Sequence, residues 1–300
     1  MRLSIHNLCK SYGKKKILDQ LNLELVNPGI WALIGPNGSG KTTLLDCIAN
    51  LQTFDSGEIS INGKKHNDPT IYRTFAYLQD NRVLYPELTG LEHLRLVQTI
   101  QDLPKERIEE VIQEIGIRDY VKIPVKNYSL GMKQHLLLAI GIMNKPQVML
   151  LDEPLNGLDP TSYIQTRKLL QKLAKNGSTI IVSSHQLNEV DQLTDQLLFL
   201  KQGKIIERKL EQVGRQYAVQ TSDNQTVLQK LRQVNGLTLV NDSIQVDTSV
   251  HSLHFYLDQV MTCQVEILDI TPQEHQSEEI YKELICKALC QVKTIELIKK

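Results

Sequence analysis

The stretch MLLDEPLNGLDP (residues 149–160) runs an apolar strand straight into two adjacent acids, Asp152 and Glu153, and then a third, Asp159. A carboxylate at the end of a buried strand is costly unless something positive meets it. A second stretch supplies the counterpart: Gly35, Pro36, Asn37, Gly38, Ser39, Gly40, Lys41, Thr42 and Thr43 follow the pattern G-x-x-x-x-G-K-[ST]. Its glycines let backbone N–H groups face inward without a Cβ in the way. With the positive end of the following helix, those donors cradle the β- and γ-phosphates of a nucleotide. Lys41 adds a point charge to the same phosphates, and Thr42 places a hydroxyl on Mg²⁺. Asp152 beside Thr42 would hold that ion directly or through water. Glu153 would face the γ-phosphate and polarise a water.

These roles require particular elements. The run Ile30–Ile34 is apolar throughout and ends in glycine, as expected of a strand buried on both faces of a parallel sheet. A helix over residues 44–49 follows the loop, so the motif sits between strand and helix, the context that gives it meaning. Residues 148–151 read as another buried strand, expected beside the strand before the loop. Residues 3–8 and 17–26 read as short strands around a loop from Lys10 to Lys16.

Composition limits the partners. Of the 300 residues, 41% are hydrophobic and 23% charged, an ordinary globular balance. Lys+Arg and Asp+Glu are both 34, so the chain offers no global pull on nucleic acid or anionic lipid. The five cysteines, Cys9, Cys47, Cys263, Cys286 and Cys290, are scattered and read as reduced thiols in a cytosolic protein. Cys286 and Cys290 lie one helical turn apart, but no second Cys/His pair at ligand spacing accompanies them. The longest apolar runs fall short of a membrane span, and the N-terminal residues lack the apolar core of a secretory signal.

Seven ordered elements make the first two-thirds of the chain resemble the nucleotide-binding subunit of an ATP-binding cassette (ABC) transporter. The resemblance implies that Tyr12 stacks on adenine, that Gly35–Thr43 binds phosphate, and that Gln79 contacts metal and water and senses the membrane partner. It implies that Tyr128-Ser129-Leu130-Gly131-Met132-Lys133-Gln134 is the family signature, with Ser129 and Gly131 facing the other subunit's γ-phosphate. Asp152 matches the Mg²⁺ acid, Glu153 the catalytic base, Asp159 the loop that crosses to the partner, and His185 the switch histidine. Taken alone each has a plainer reading: a surface aromatic, a loop amide, a turn before Pro160, a capping histidine. The signature departs from Leu-Ser-Gly-Gly-Gln, with Leu130 for the first glycine and Met132 for the glutamine, and Ser129 sits where an N-cap belongs, before an apolar helix over Leu136–Met143. That variant resembles single-cassette bacterial exporter subunits, including those of antibiotic and bacteriocin immunity. His135 stands where that group usually has arginine.

The implied fold is an α/β P-loop cassette over residues 1–212, with a mixed sheet and a helical subdomain at about 83–145. A small α+β domain, of ferredoxin-like order β-α-β-β-α-β, is expected over 213–300, with a last helix from about Glu274. Thr89-Gly90-Leu91-Glu92 reads as a capping box opening a helix through about Gln101, followed by one from about Lys105 to Ile115. Residues 82–88 before it read either as a coupling surface or as a hydrophobic staple around Leu84 and Leu88. The resemblance implies two ATP–Mg²⁺ sandwiched by two copies, or by one copy and a homologue, that drive a separate integral-membrane permease from its cytoplasmic face. A P-loop kinase or GTPase predicts neither Ser129 nor Asp152-Glu153-Pro154 before His185. A soluble cassette ATPase acting on ribosomes or nucleic acid usually has paired cassettes or coiled coils, and this chain shows neither.

Overall fold

The computed structural model describes residues 2–210, 216–240, 243–248, 251 and 253–272. The expected helix from Glu274 and the pair Cys286 and Cys290 lie outside the described residues. The chain divides into two compact units, Met1–Arg208 and Lys209–Lys300. The division falls at the end of a strand rather than after residue 212.

In the first unit β1 (Leu3–Tyr12) and β2 (Lys15–Leu25) form an antiparallel hairpin. The expected loop over Lys10–Lys16 is instead strand: Ser11 pairs with Lys16 and Tyr12 with Lys15, and the chain turns at Gly13, φ +58°. Charged side chains do not end a strand whose backbone groups find partners; only the turn needs a residue tolerant of positive φ. β4 (Ser56–Ile61) and β5 (Lys64–Lys65) extend this sheet in the order β2-β1-β4-β5.

The central sheet has six strands. They are β3 (Gly29–Ile34), β6 (Phe75–Leu78), β7 (Val148–Asp152), β8 (Thr179–Ser184), β9 (Gln196–Lys201) and β10 (Lys204–Lys209), in the order β10-β9-β3-β8-β7-β6. β9, β3, β8, β7 and β6 pair in parallel. Alternate residues enter two different cores. Trp31, Leu33, Val148, Leu150, Ile181 and Leu198 pack toward the antiparallel sheet, with helix α1 (Lys41–Ile48) between the sheets. Ile30, Met149, Leu151, Ile180 and Val182 pack on the other side, against α4 (Leu130–Ile142) and α5 (Pro160–Lys175). Burial on both faces explains why these strands read as unbroken apolar runs.

One expected pairing is corrected. β7 does not lie beside β3, because β8 is inserted between them. Sequence order says nothing about which parallel strands neighbour one another, since every connection between the parallel strands is a crossover.

The helical subdomain contains α2 (Gly90–Gln101), α3 (Glu106–Ile115) and α4. The capping box is formed: Thr89 Oγ1 accepts the Glu92 N–H at 3.2 Å, and Glu92 Oε2 accepts the Thr89 N–H at 2.7 Å. α4 begins at Leu130, as expected of an N-cap at Ser129. Buried Arg107 of α3 donates to the carbonyls of Ile142 (2.6 Å) and Met143 (2.9 Å). A cation therefore closes the negative end of α4, where a helix favours one. A short α6 (Leu187–Leu193) follows β8.

The second unit runs β11 (Gln216–Thr221), α7 (Asn224–Lys230), β12 (Leu237–Val240), β13 (Ser243–Asp247), α8 (Leu253–Thr262) and β14 (Ile267–Pro272). Its sheet is antiparallel throughout, in the order β12-β13-β11-β14. Val219, Ile244 and Val246 pack under Val227, Tyr256 and Val260. α7 ends at Lys230, and the chain turns at Gly236, φ +94°, where a Cβ would strike the Tyr256 hydroxyl.

Candidate active site

Four strands deliver the candidate residues to one edge. Gln79 follows β6, the phosphate loop follows β3, Asp152 ends β7 and His185 follows β8. This is the carboxyl edge of the parallel strands, where open α/β sheets bind ligands.

The loop's conformation needs its glycines. Gly40 has φ +105° and Gly38 φ +76°. At Gly35 a Cβ would lie 2.6 Å from Ser39 Oγ and 3.0 Å from the Leu200 carbonyl. Lys41, only 7% exposed, folds back and donates to the carbonyls of Gly35 (2.7 Å) and Pro36 (3.4 Å). Burial lowers its pKa, while Glu153 and then Asp152 oppose that shift. Pro36, Asn37, Gly38 and Thr42 are exposed, so the loop's outer surface is open to a ligand.

Asp152 reaches Thr42 across β8. Thr42 Oγ1 donates to Asp152 Oδ2 at 2.8 Å, while Ser183 of β8 donates to Oδ1. A carboxylate and a hydroxyl are hard oxygen donors, and Mg²⁺ takes one or two protein ligands plus water and phosphate oxygens. The pair fits that ion. The described residues hold no cluster of three acids, histidines or cysteines that would bind a metal by themselves.

Glu153 leaves the strand in the left-handed region, φ +49°. For a non-glycine residue that costs about 1–2 kcal/mol. Its N–H donates to Ser183 Oγ at 2.9 Å. Its carboxylate is held at both oxygens, by His185 Nδ1 at 3.1 Å on Oε1 and by Asn156 Nδ2 at 3.2 Å on Oε2. Glu189, whose pKa burial raises, feels both His185 and Glu153.

Other expected residues stand apart. Gln79 Nε2 donates to Asp46 of α1 at 3.3 Å, and Tyr77 donates to the same oxygen at 3.0 Å. Tyr12, 49% exposed, lies under Lys10 Nζ at 4.8 Å from its ring centroid. Ser129 accepts the Met132 N–H at 3.2 Å, and Asp159 caps α5 by accepting from Thr161 and Ser162. Gly131 packs on that cap: a Cβ there would lie 2.6 Å from Ser162 Oγ. Among the described residues, no hydrogen bond ties Ser129, Gly131 or Asp159 to the phosphate loop of their own chain. Ser183 and Asp46 were not anticipated, and Asn156, expected only as part of the loop that crosses to the partner, instead holds Glu153. Ser183 shares the end of β8 with a second serine, Ser184, so the sequence alone does not single it out.

His135 of α4 meets the Tyr120 hydroxyl at 3.2 Å through Nδ1. Burial lowers its pKa, against the pull of the Ser162 backbone and Asp159. The folded state therefore prefers neutral His135. The unfolded chain takes up the proton near its ordinary value of about 6.5. Stability is then complete above that pH and falls as pH drops toward the folded value. His66, similarly lowered by burial, adds to the same trend. Denaturant midpoints between pH 7.5 and 5.5 are expected to fall for wild type and to fall less steeply for His135→Gln.

Fold and site together define a P-loop nucleoside-triphosphate-binding cassette. Residues 18–156 match the model of the ABC transporter family. The chain is 36% identical over 230 residues to the lantibiotic transport ATP-binding protein SrtF of Streptococcus pyogenes, covering 77% of this chain and all of that protein. It is 34% identical to the bacitracin transport ATP-binding protein BcrA of Enterococcus faecalis, covering 68% of each. Its fold superposes on a dimeric ATP-binding cassette, MJ0796, bound to ADP and Pi in a post-hydrolysis state. That match has TM-score 0.63 and 26% identity, and covers 70% of this chain and 99% of the other. The chain belongs to the ABC transporter family and is an ATP-binding ATPase of it.

Proposed function

We propose that this chain hydrolyses ATP as one of two cassettes that power a separate membrane permease, exporting a peptide antibiotic of the lantibiotic or bacitracin kind. The transported class rests on the names of the relatives. The catalytic reading rests on one observation: Glu153, fixed at both oxygens, stands beside the Thr42–Asp152 pair at the mouth of the phosphate loop.

The glycine-loop amides and the start of α1 receive the phosphates, and Lys41 turns from the loop carbonyls to the γ-phosphate. Thr42 and Asp152 would hold Mg²⁺, which when bound neutralises charge on the β- and γ-oxygens, and Gln79 would reach the same ion from β6. Glu153 accepts a proton from the attacking water, His185 orients that carboxylate and faces the γ-phosphate, and Tyr12 stacks on the base. Catalysis is chiefly positioning and electrostatics. Ser129, Gly131 and Asp159 belong to the site of the partner cassette, in keeping with the dimeric relative.

The permease surface is a groove of about 430 Å³ between β6, α2 and α4. Leu84 is buried and settles into the core, whereas Val83, Tyr85, Leu96 and Ile100 are 45–69% exposed along it. An apolar surface of this kind suits a helix of a partner. Attachment on this reading runs through the permease on its cytoplasmic face; among the described residues no helix is long and apolar enough to cross a membrane. Wild-type chain is expected to sediment with membranes of cells that produce it with its permease. Leu96→Asp/Ile100→Asp is expected to move to the supernatant while binding ATP as before. Sedimentation with ribosomes instead, or a variant that stays on membranes, would refute this surface.

A further inference from the structure

We infer that Ser183 is a positioning residue for hydrolysis, holding Asp152 and Glu153 in one arrangement; this rests on the roles proposed for those two acids. β8 is wholly buried, and Ser183 has no exposed surface. A hydroxyl there must find its partners inside the protein. It finds two, and they are the two adjacent acids. The proton goes to Asp152 Oδ1, and a lone pair accepts the Glu153 N–H at 2.9 Å. One hydroxyl has the proton and the lone pairs for both bonds at once.

Each bond fixes something the chemistry uses. At Asp152, Ser183 takes one carboxylate oxygen and leaves the other for Thr42 at 2.8 Å. The carboxylate is thereby barred from rotating away from the ion's position. At Glu153, the bond pins the N–H of a residue in the left-handed region, φ +49°. In a strand, successive side chains point to opposite faces. The left-handed turn breaks that alternation and lets Glu153 meet His185 at 3.1 Å while Asp152 meets Thr42. Without the pin, Glu153 relaxes toward the extended region that non-glycine residues prefer, and its carboxylate leaves the water's position. The register puts Ser183 directly opposite Asp152, so neither neighbouring residue of β8 can substitute for it.

The test uses the full chain and Ser183→Ala, Ser183→Thr and Glu153→Gln. Four measurements apply: steady-state ATPase, affinity for a fluorescent ATP analogue in EDTA, melting temperature, and hydrogen exchange of peptides containing Glu153. For Ser183→Ala the expected kcat loss is about 10- to 100-fold, the scale of a small misplacement of reacting groups. Analogue affinity without metal stays within about twofold, because the phosphate loop is untouched. Exchange at the Glu153 amide rises, since its acceptor is gone. Ser183→Thr keeps the hydroxyl and recovers most of the rate. Should the alanine variant melt below assay temperature, Ser183→Cys, nearly isosteric with a weak acceptor, takes its place under the same criteria. Unchanged kcat and exchange overturn the inference. So do equal losses in Ala and Thr, or a parallel loss of metal-free binding, because these mean packing rather than positioning. Activity surviving in Glu153→Gln would instead remove the base, a different failure.

Discussion

Glu153→Gln is expected to bind ATP, to accumulate the closed dimer and to hydrolyse at least about 10²-fold more slowly, the scale of losing a general base. The substitution preserves size, so the turn at φ +49° and the bond from the Glu153 N–H to Ser183 survive. Two things change. The group can no longer take a proton from water. One of its two arms also becomes an NH₂ facing a donor, either Asn156 Nδ2 or, in that tautomer, His185 Nδ1–H. A carboxylate accepts at both oxygens and an amide at only one, so His185 and Asn156 compete for it. The phosphate loop does not depend on Glu153, so nucleotide affinity should hold. Size-exclusion chromatography with ATP and steady-state ATPase measure the two halves of the claim. A variant hydrolysing near the wild-type rate would take the base role from Glu153.

What the sequence disclosed and what it hid follow a physical line. The phosphate loop was legible because its function lies in contiguous backbone: strand, glycine turn and helix start all fall within residues 29–48. The caps at Thr89 and Ser129 were legible for the same reason, since an N-cap acts within three residues. Asp152 was expected beside Thr42, and it is there. The supposed route was wrong, because β8 lies between β7 and β3 and only tertiary packing decides that. The same insertion hid Ser183: its partners are distant in sequence, and nothing local marks one serine of Ser183-Ser184 as facing the acids. Gln79 was expected at the metal, yet in this structure its amide is held by Asp46. That pairing depends on how α1 lies under the sheet. The Lys10–Lys16 segment misled differently, since its charges suggested a loop although β-ladder pairing accepts Lys15 and Lys16 at exposed positions and Lys10 at a buried one.

The largest remaining effect concerns the composite site. Ser129→Arg dimers and Lys41→Ala dimers are each expected to be nearly inactive, and mixing them is expected to restore ATPase. Lys41→Ala removes the cation that the loop holds at 2.7 Å from the Gly35 carbonyl, and with it the γ-phosphate contact. Ser129→Arg keeps that lysine but sets a bulky side chain at the start of α4. Loss of the cap costs about 1 kcal/mol, too little to unfold a helix that buries Leu136, Leu137, Leu138, Ala139 and Ile142. The defect is therefore one of dimer closure, not of folding. If each ATP lies between one chain's loop and the other chain's Ser129, a mixed dimer places both lesions in a single site. The other site keeps an intact Lys41 and an intact Ser129. Random exchange makes about half the dimers mixed, each with one intact site of two, so recovery approaches about a quarter of wild-type activity in a two-fold dimer. A fluorescent ATP analogue should still bind Ser129→Arg and bind Lys41→Ala weakly, which checks each parent before mixing. Normal hydrolysis by Ser129→Arg alone would reduce Ser129 to the helix cap seen in its own chain. Mixed dimers that form and stay inactive would mean that the two sites turn over only together, or that Ser129 acts within its own subunit. A Lys41→Ala/Ser129→Arg double mutant mixed with wild type separates these two. In that pairing each site carries one lesion if sites are composite, whereas one site is wholly intact if Ser129 acts within its own chain.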